Sequence, residues 1–206
     1  SGSLIRLLAD YPEATVVGTK AAITYLKNIL NKEFKFIEAN AKTEISLGEI
    51  TLKFIPAPNV HWPDTMFTYV KERNLLFTCD FTGSHYCPEG KITDSLNDEY
   101  FEEMEYYFNC IMGPFKPFVK SALKKIEGLK IDMIAPSHGP IHMSNIDQIL
   151  GLYDKWSTEP EIDKKAIEIF YISAYGNTEL MAKFMQKKLT EKGFNVGLTE
   201  ITEVPF

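Results

Sequence analysis

Two apolar segments follow each other closely in the first half of the chain: Thr65–Val70 and Asn74–Cys79 read as strands, joined by the charged turn Lys71-Glu72-Arg73. Polar side chains flank them, His61 before the first and Asp80 after the second. A third predicted strand, 130–136, ends at Ser137-His138-Gly139-Pro140, a rigid turn that leaves His138 at its tip. Upstream, Leu4, Leu7 and Leu8 recur at helical spacing over 3–9. The valines of 14–18 predict a buried strand, after which Thr19 caps a helix that buries Ala22, Ile23, Leu26, Ile29 and Leu30. Short strands are expected at 34–38, 44–47 and 49–55, the last two forming a hairpin about Gly48. Pro56 to Asn59 then break the ladder and deliver His61 into a loop.

From Leu96 to Lys125 the pattern is helical, interrupted at Gly113-Pro114 and dense in aromatic residues expected to be mostly core. Asn145 is placed to cap a further helix with Ile149, Leu152 and Trp156 on one face, and Ser157 to Pro160 read as a linker. A strand over 166–172, the loop Ser173-Ala174-Tyr175-Gly176-Asn177-Thr178, a helix burying Leu180, Met181, Phe184, Met185 and Leu189, and a strand over 194–199 make a β-loop-α-β unit. Strands alternating with helices predict a layered α/β fold.

Composition narrows the class. The chain has 206 residues, enough for one large domain or one domain and part of another, and 45% hydrophobic with 24% charged residues is ordinary for a soluble protein. Twenty-two basic against 28 acidic residues give a net charge of −6, and no basic tract points to a nucleic-acid partner. No apolar run is long enough for a bilayer and the opening residues lack a signal pattern, so a soluble, cytoplasmic protein without a membrane partner is expected. Cys79, Cys87 and Cys110 share no CxxC spacing and read as reduced structural thiols, with ligation by Cys87 a lesser alternative.

His61, Asp80 and His138 at three strand ends could converge on a metal, since imidazole with carboxylate suits iron, zinc or manganese. The competing reading is that each histidine caps a loop or fills a polar gap. Small and hydroxylated residues between a strand and a helix, as in 173–178, offer backbone N–H groups and the positive end of a helix dipole to a phosphate. Many βα turns are nevertheless small and polar without binding anything.

In order, the runs NVHWPDTMFTY, FTCDFTGSHY and DMIAPSHGPI resemble the metallo-β-lactamase-like domain of flavodiiron proteins, and SAYGNT resembles the flavodoxin loop that holds the FMN phosphate. The resemblance implies an incomplete metallo-β-lactamase-like αββα sandwich over 1–158, followed over 159–206 by the first βαβ unit of a flavodoxin-like FMN domain. It implies a non-haem diiron site reducing dioxygen to water, nitric oxide to nitrous oxide, or both. His61 would serve one iron, His138 the other, and Asp80 would bridge them. Tyr107, favoured over Tyr106, would line the pocket, and Ser173, Ala174, Tyr175, Gly176, Asn177 and Thr178 would hold FMN. A redox protein such as rubredoxin would donate electrons, and a head-to-tail homodimer would join the two cofactors. Trp62 and Ser137 are candidates to orient the imidazoles, His85 to stand beside the site or face solvent, and His142 to lie on the surface.

The family's first ligand motif, HxExDH, precedes a serine-glycine pair such as Ser1-Gly2, so the chain is expected to begin after that motif and to end inside the flavodoxin unit. Each iron would then keep one imidazole and a share of Asp80, which predicts weak metal binding. Two alternatives are a zinc hydrolase of the metallo-β-lactamase superfamily and a non-catalytic remnant that associates with a partner.

Overall fold

A computed structural model describes residues 2–90, 92–93, 97–159 and 163–201. Leu96 and Pro160, which bounded two predicted segments, lie outside the described residues. The chain divides into two compact units, Ser1–Thr158 and Glu159–Phe206. Among the described residues, no helix is long and apolar enough to cross a membrane.

The first unit opens with α1 (Leu4–Asp10) and a βαβ crossover in which β1 (Thr15–Gly18) pairs in parallel with β2 (Lys35–Glu38) across α2 (Lys20–Leu30). Thr19 caps α2 as its sequence position suggests, its Oγ1 accepting from the Ala22 N–H at 3.2 Å. The helix buries Ile23 and Leu30 but turns Ile29 outward, contrary to the predicted apolar face. A five-stranded sheet follows in the order β3 (Glu44–Ser46), β4 (Thr51–Pro56), β5 (Met66–Val70), β6 (Leu75–Cys79), β7 (Met133–Pro136). Its first four strands form an antiparallel meander, whereas β7 lies parallel to β6. A parallel neighbour needs a long crossover, here α3 (Asp98–Tyr107) and α4 (Lys116–Ile126).

The predicted single interruption of the long helical pattern is a π turn over Phe108–Met112 and a 3-10 turn over Gly113–Phe115. Pro114 has no N–H to continue the ladder. Alternate residues of the central strands, Phe67, Leu76 and Ile134, pack with Met104, Phe108 and Val119 in a core completed by Ile149 and Tyr153 of α5 (Ile146–Ser157). Asn145 precedes α5 in the left-handed region at φ 55 and gives no side-chain cap. Ser157 belongs to α5 rather than to a linker: it is buried and donates from Oγ to the Tyr153 carbonyl at 2.5 Å.

In the second unit, β8 (Ala166–Tyr171) and β9 (Asn195–Glu200) pair in parallel across α6 (Asn177–Glu191). The expected buried stripe on α6 is not buried: Leu180, Met181, Phe184 and Met185 are exposed, and Ala182 is the helix's buried residue. Helical spacing identifies an apolar face but does not supply the layer that covers it.

Candidate metal centre and phosphate loop

The meander explains why three distant residues meet. β6 runs parallel to β7, so Asp80 and His138 leave the sheet at the same edge. β5 runs antiparallel to β6, so the loop entering β5, which carries His61, reaches that edge as well. Hydrogen bonds close the corner: the Ser137 N–H donates to the Cys79 carbonyl at 2.7 Å, and Cys79 Sγ lies 3.5 Å from the Met66 carbonyl. The His61 loop is held by the Asn59 N–H on the Trp62 carbonyl at 2.8 Å, and its Val60–His61 peptide is cis.

The outcome is a carboxylate between two imidazoles. His61 Nε2 is 3.1 Å from Asp80 Oδ2, and His138 Nε2 is 3.4 Å from the other oxygen, Oδ1. The Asp80 side chain is 19% exposed, that of His61 24% and that of His138 51%. Trp62 and Phe115 flank His61 with ring centroids at 5.5 and 6.3 Å. A cavity of about 910 Å³ opens on Asp80 from the α2 side, lined by Ala22, Trp62, Met66, Cys79 and Ser137. Burial pushes the Cys79 thiol up, which suits a structural rather than a reactive cysteine.

Tight backbone contacts bring the Asp80 and His138 loops together. The Gly83 N–H donates to the Asp80 carbonyl and the Ser84 N–H to the His138 carbonyl, both at 3.2 Å. A Cβ on Gly83 would stand 3.1 Å from each of those two carbonyls, so glycine permits the approach.

Tyr107 is buried beside this corner, whereas Tyr106 is exposed. Its ring lies edge-on to His85 at 4.8 Å and 6.3 Å from His138. Burial first, and the Asp80 charge second, push its hydroxyl well above the ordinary tyrosine range, so it stays a phenol. His85 is exposed and stacks edge-on at 5.8 Å from His138, beside the site. His142, read from sequence as a surface residue, is buried, with Nε2 2.8 Å from the Thr82 carbonyl. Its position one strand away from Ile134, through paired backbone hydrogen bonds of 2.9 Å, has no local sequence signature.

Imidazole and carboxylate are the donors that iron, zinc and manganese take. Two donors bound to one ion at ordinary lengths of about 2.1 Å sit roughly 3 Å apart, which matches both nitrogen–oxygen spacings. The two histidines address different carboxylate oxygens, so the arrangement fits a bridged pair of ions with two donors each. Among the described residues, no group of three or more His, Cys, Asp or Glu is arranged to hold a single ion.

The loop after β8 has a different chemistry. Ser173 Oγ accepts from the Glu179 N–H at 3.2 Å, the Ser173 N–H faces Glu200 Oε1 at 3.4 Å, and Gly176 enters α6 at φ 78. Tyr175 projects into solvent.

A family model described as ODP family beta lactamase matches residues 1–139. The flavo-diiron protein FprA2 of Clostridium acetobutylicum is 40% identical over 190 residues, 88% of this chain and 47% of that protein. Diflavin flavoprotein A 1 of Synechocystis is 33% identical over 98% of this chain and 35% of its own length. The chain belongs to the flavodiiron protein family. Its fold is the family's: the flavodiiron protein of Giardia intestinalis superposes with a TM-score of 0.73 at 28% identity, covering 98% of this chain and 50% of that one. The Flv1 flavodiiron core of Synechocystis gives 0.75 at 28% identity, over 99% and 51%. The chain thus spans roughly a third to a half of the relatives it matches. The metallo-β-lactamase-like α/β reading of the sequence agrees with the family match and with these neighbours.

Proposed function

We propose that the chain contributes to a flavodiiron oxidoreductase that reduces dioxygen to water, nitric oxide to nitrous oxide, or both. The observation carrying this reading is the Asp80 carboxylate with one imidazole on each oxygen. His61, Asp80 and His138 would hold a diiron pair, residues 1–158 forming its domain. Backbone N–H groups of the segment Ser173 to Thr178, at the start of α6, would hold the FMN phosphate in a domain beginning at residue 159. Iron and FMN, when bound, supply the redox chemistry that side chains lack.

The chain's own residues would do the rest. Asp80 would present one oxygen to the half-site of His61 and the other to that of His138. Trp62 and Phe115 flank the His61 ring and help to orient it. Tyr107, held protonated, offers an O–H beside the site, and both reductions consume protons. A redox protein such as rubredoxin as donor, and a homodimer that joins the cofactors, complete the proposal.

Two donors per ion make for weak binding. Elemental analysis of the dialysed 206-residue chain should find no tightly held iron, and cobalt(II) titration should show weak binding that Asp80→Asn abolishes. Two irons retained per chain would overturn the two-donor account. For the reaction itself, amperometry on the protein isolated from its native source should show uptake of dioxygen or nitric oxide that Asp80→Asn eliminates. Uptake that survives this substitution would remove Asp80 from the site.

A further inference from the structure

His142 sits where the metal-site loops must be held in register, and its contact with Thr82 places a hydrogen on one ring nitrogen. Its Nε2 is 2.8 Å from the Thr82 carbonyl, and a carbonyl only accepts, so Nε2 carries the hydrogen. Nδ1 lies 3.4 Å from the Tyr100 hydroxyl, a second contact that ties the ring to its neighbour. The ring is 1% exposed and Tyr100 is fully buried, so both contacts are made away from water.

The three attached segments are the ones that matter. Thr82 lies two residues beyond Asp80, in the turn closed by the Gly83 N–H on the Asp80 carbonyl. His142 itself lies four residues beyond His138, fixed to β7 by reciprocal backbone bonds with Ile134. Tyr100 belongs to α3, the helix that also carries Tyr107. One imidazole therefore ties the Asp80 loop, the His138 loop and the helix lining the site. The Ser84 N–H on the His138 carbonyl spans the same gap from the other side.

We propose that His142, through its Nε2–H, is a positioning residue that sets the separation of Asp80 from His138 through the Thr82 carbonyl. Its catalytic consequence rests on the proposed metal-site reading, but its test does not, because it is made on the metal-free chain. Nitrogen NMR of the unmutated chain at neutral pH should show the Nε2–H form of His142, with the Nε2 proton protected from solvent exchange. In His142→Leu, amide exchange at Gly83 and Ser84 should accelerate by about tenfold, the effect of losing one buried hydrogen bond. Leu76 and Phe67, in the sheet interior, should keep their rates. His142→Gln, which retains a donor and an acceptor at its tip, should restore most of the protection.

An Nδ1–H tautomer or a rapidly exchanging Nε2 proton in the unmutated chain would overturn the proposal. So would a glutamine variant that exchanges as fast as the leucine one, or a leucine variant whose acceleration spreads evenly across the sheet. If the leucine variant fails to fold, the tautomer and the glutamine variant decide. Failure of metal binding with the expected tautomer and rescue would strike the diiron reading and leave this one standing.

Discussion

At the scale of single residues, Tyr107 links the site to the stability of the fold. Its folded-state value is raised above the ordinary 10.0 by burial and by Asp80, so the folded form holds its proton more firmly than the unfolded chain does. The resulting stabilisation is fully present below pH 10 and is lost as pH rises toward the folded-state value. Each such group contributes a slope of about 1.4 kcal/mol per pH unit inside that window. Tyr153, fully buried and raised by the same desolvation, adds to it. Urea unfolding at pH 9 to 11 should show stability nearly level up to about pH 10 and falling above it, with a shallower fall in Tyr107→Phe. An equal slope in the variant would mean that the Tyr107 hydroxyl is solvated.

Two glycines separate backbone strain from steric conflict. Gly139 has φ 84, and a Cβ there would meet the Ser84 hydroxyl and stand 2.9 Å from the Ser84 carbonyl oxygen. Gly48 has φ 90 with nothing within 4 Å. Gly48→Ala should cost only the left-handed penalty, about 1–2 kcal/mol. Gly139→Ala should cost that and more, because Ser84 is buried and the His138 turn must shift. Denaturant midpoints of the two variants give the comparison, and equal losses would refute the close packing. His61, Asp80 and His138 were legible as candidates because each stands at the end of an apolar run. His142 was not, since its partner Thr82 is 60 positions away and nothing nearby marks it as buried.

Among elements, the best-marked boundary is also mechanically connected to the site. Thr19 Oγ1 accepts from the first turn of α2 and donates to the Asp64 carbonyl at 3.2 Å, in the loop that carries His61. Thr24, one turn later, points outward and donates to the Lys20 carbonyl within the helix. Thr19→Ala should lose about 1–2 kcal/mol, as a removed cap does, while Thr24→Ala should stay within about 0.5 kcal/mol. Equal small losses in thermal unfolding would show that the cap does not anchor the loop. Strand alternation and turn residues marked nearly every element here because both are local signals. Asn145 misled, since its side chain has the right chemistry but its left-handed backbone turns it away from the α5 N–H groups.

On the scale of the molecule, the two units differ in how much they bury. The buried core cluster lies entirely in the first, with Phe67, Leu76, Phe81, Phe108, Ile134 and Tyr153 at its centre. Among its described residues the second has one helix on a two-stranded sheet, and Phe170, Leu180, Met181 and Phe184 are exposed. Two strands seldom hold together in water, and chains below about 60 residues bury too little surface to repay their conformational entropy. A peptide of residues 159–206 should therefore show a disordered far-ultraviolet dichroism spectrum at 25 °C, while residues 1–158 should keep a cooperative thermal transition. The apolar stripe of α6 was legible in the sequence as a face that needs a cover, and this peptide tests whether the stripe requires further chain or a partner to fold. A cooperative transition in the isolated peptide would show that strand pairing and α6 suffice without one.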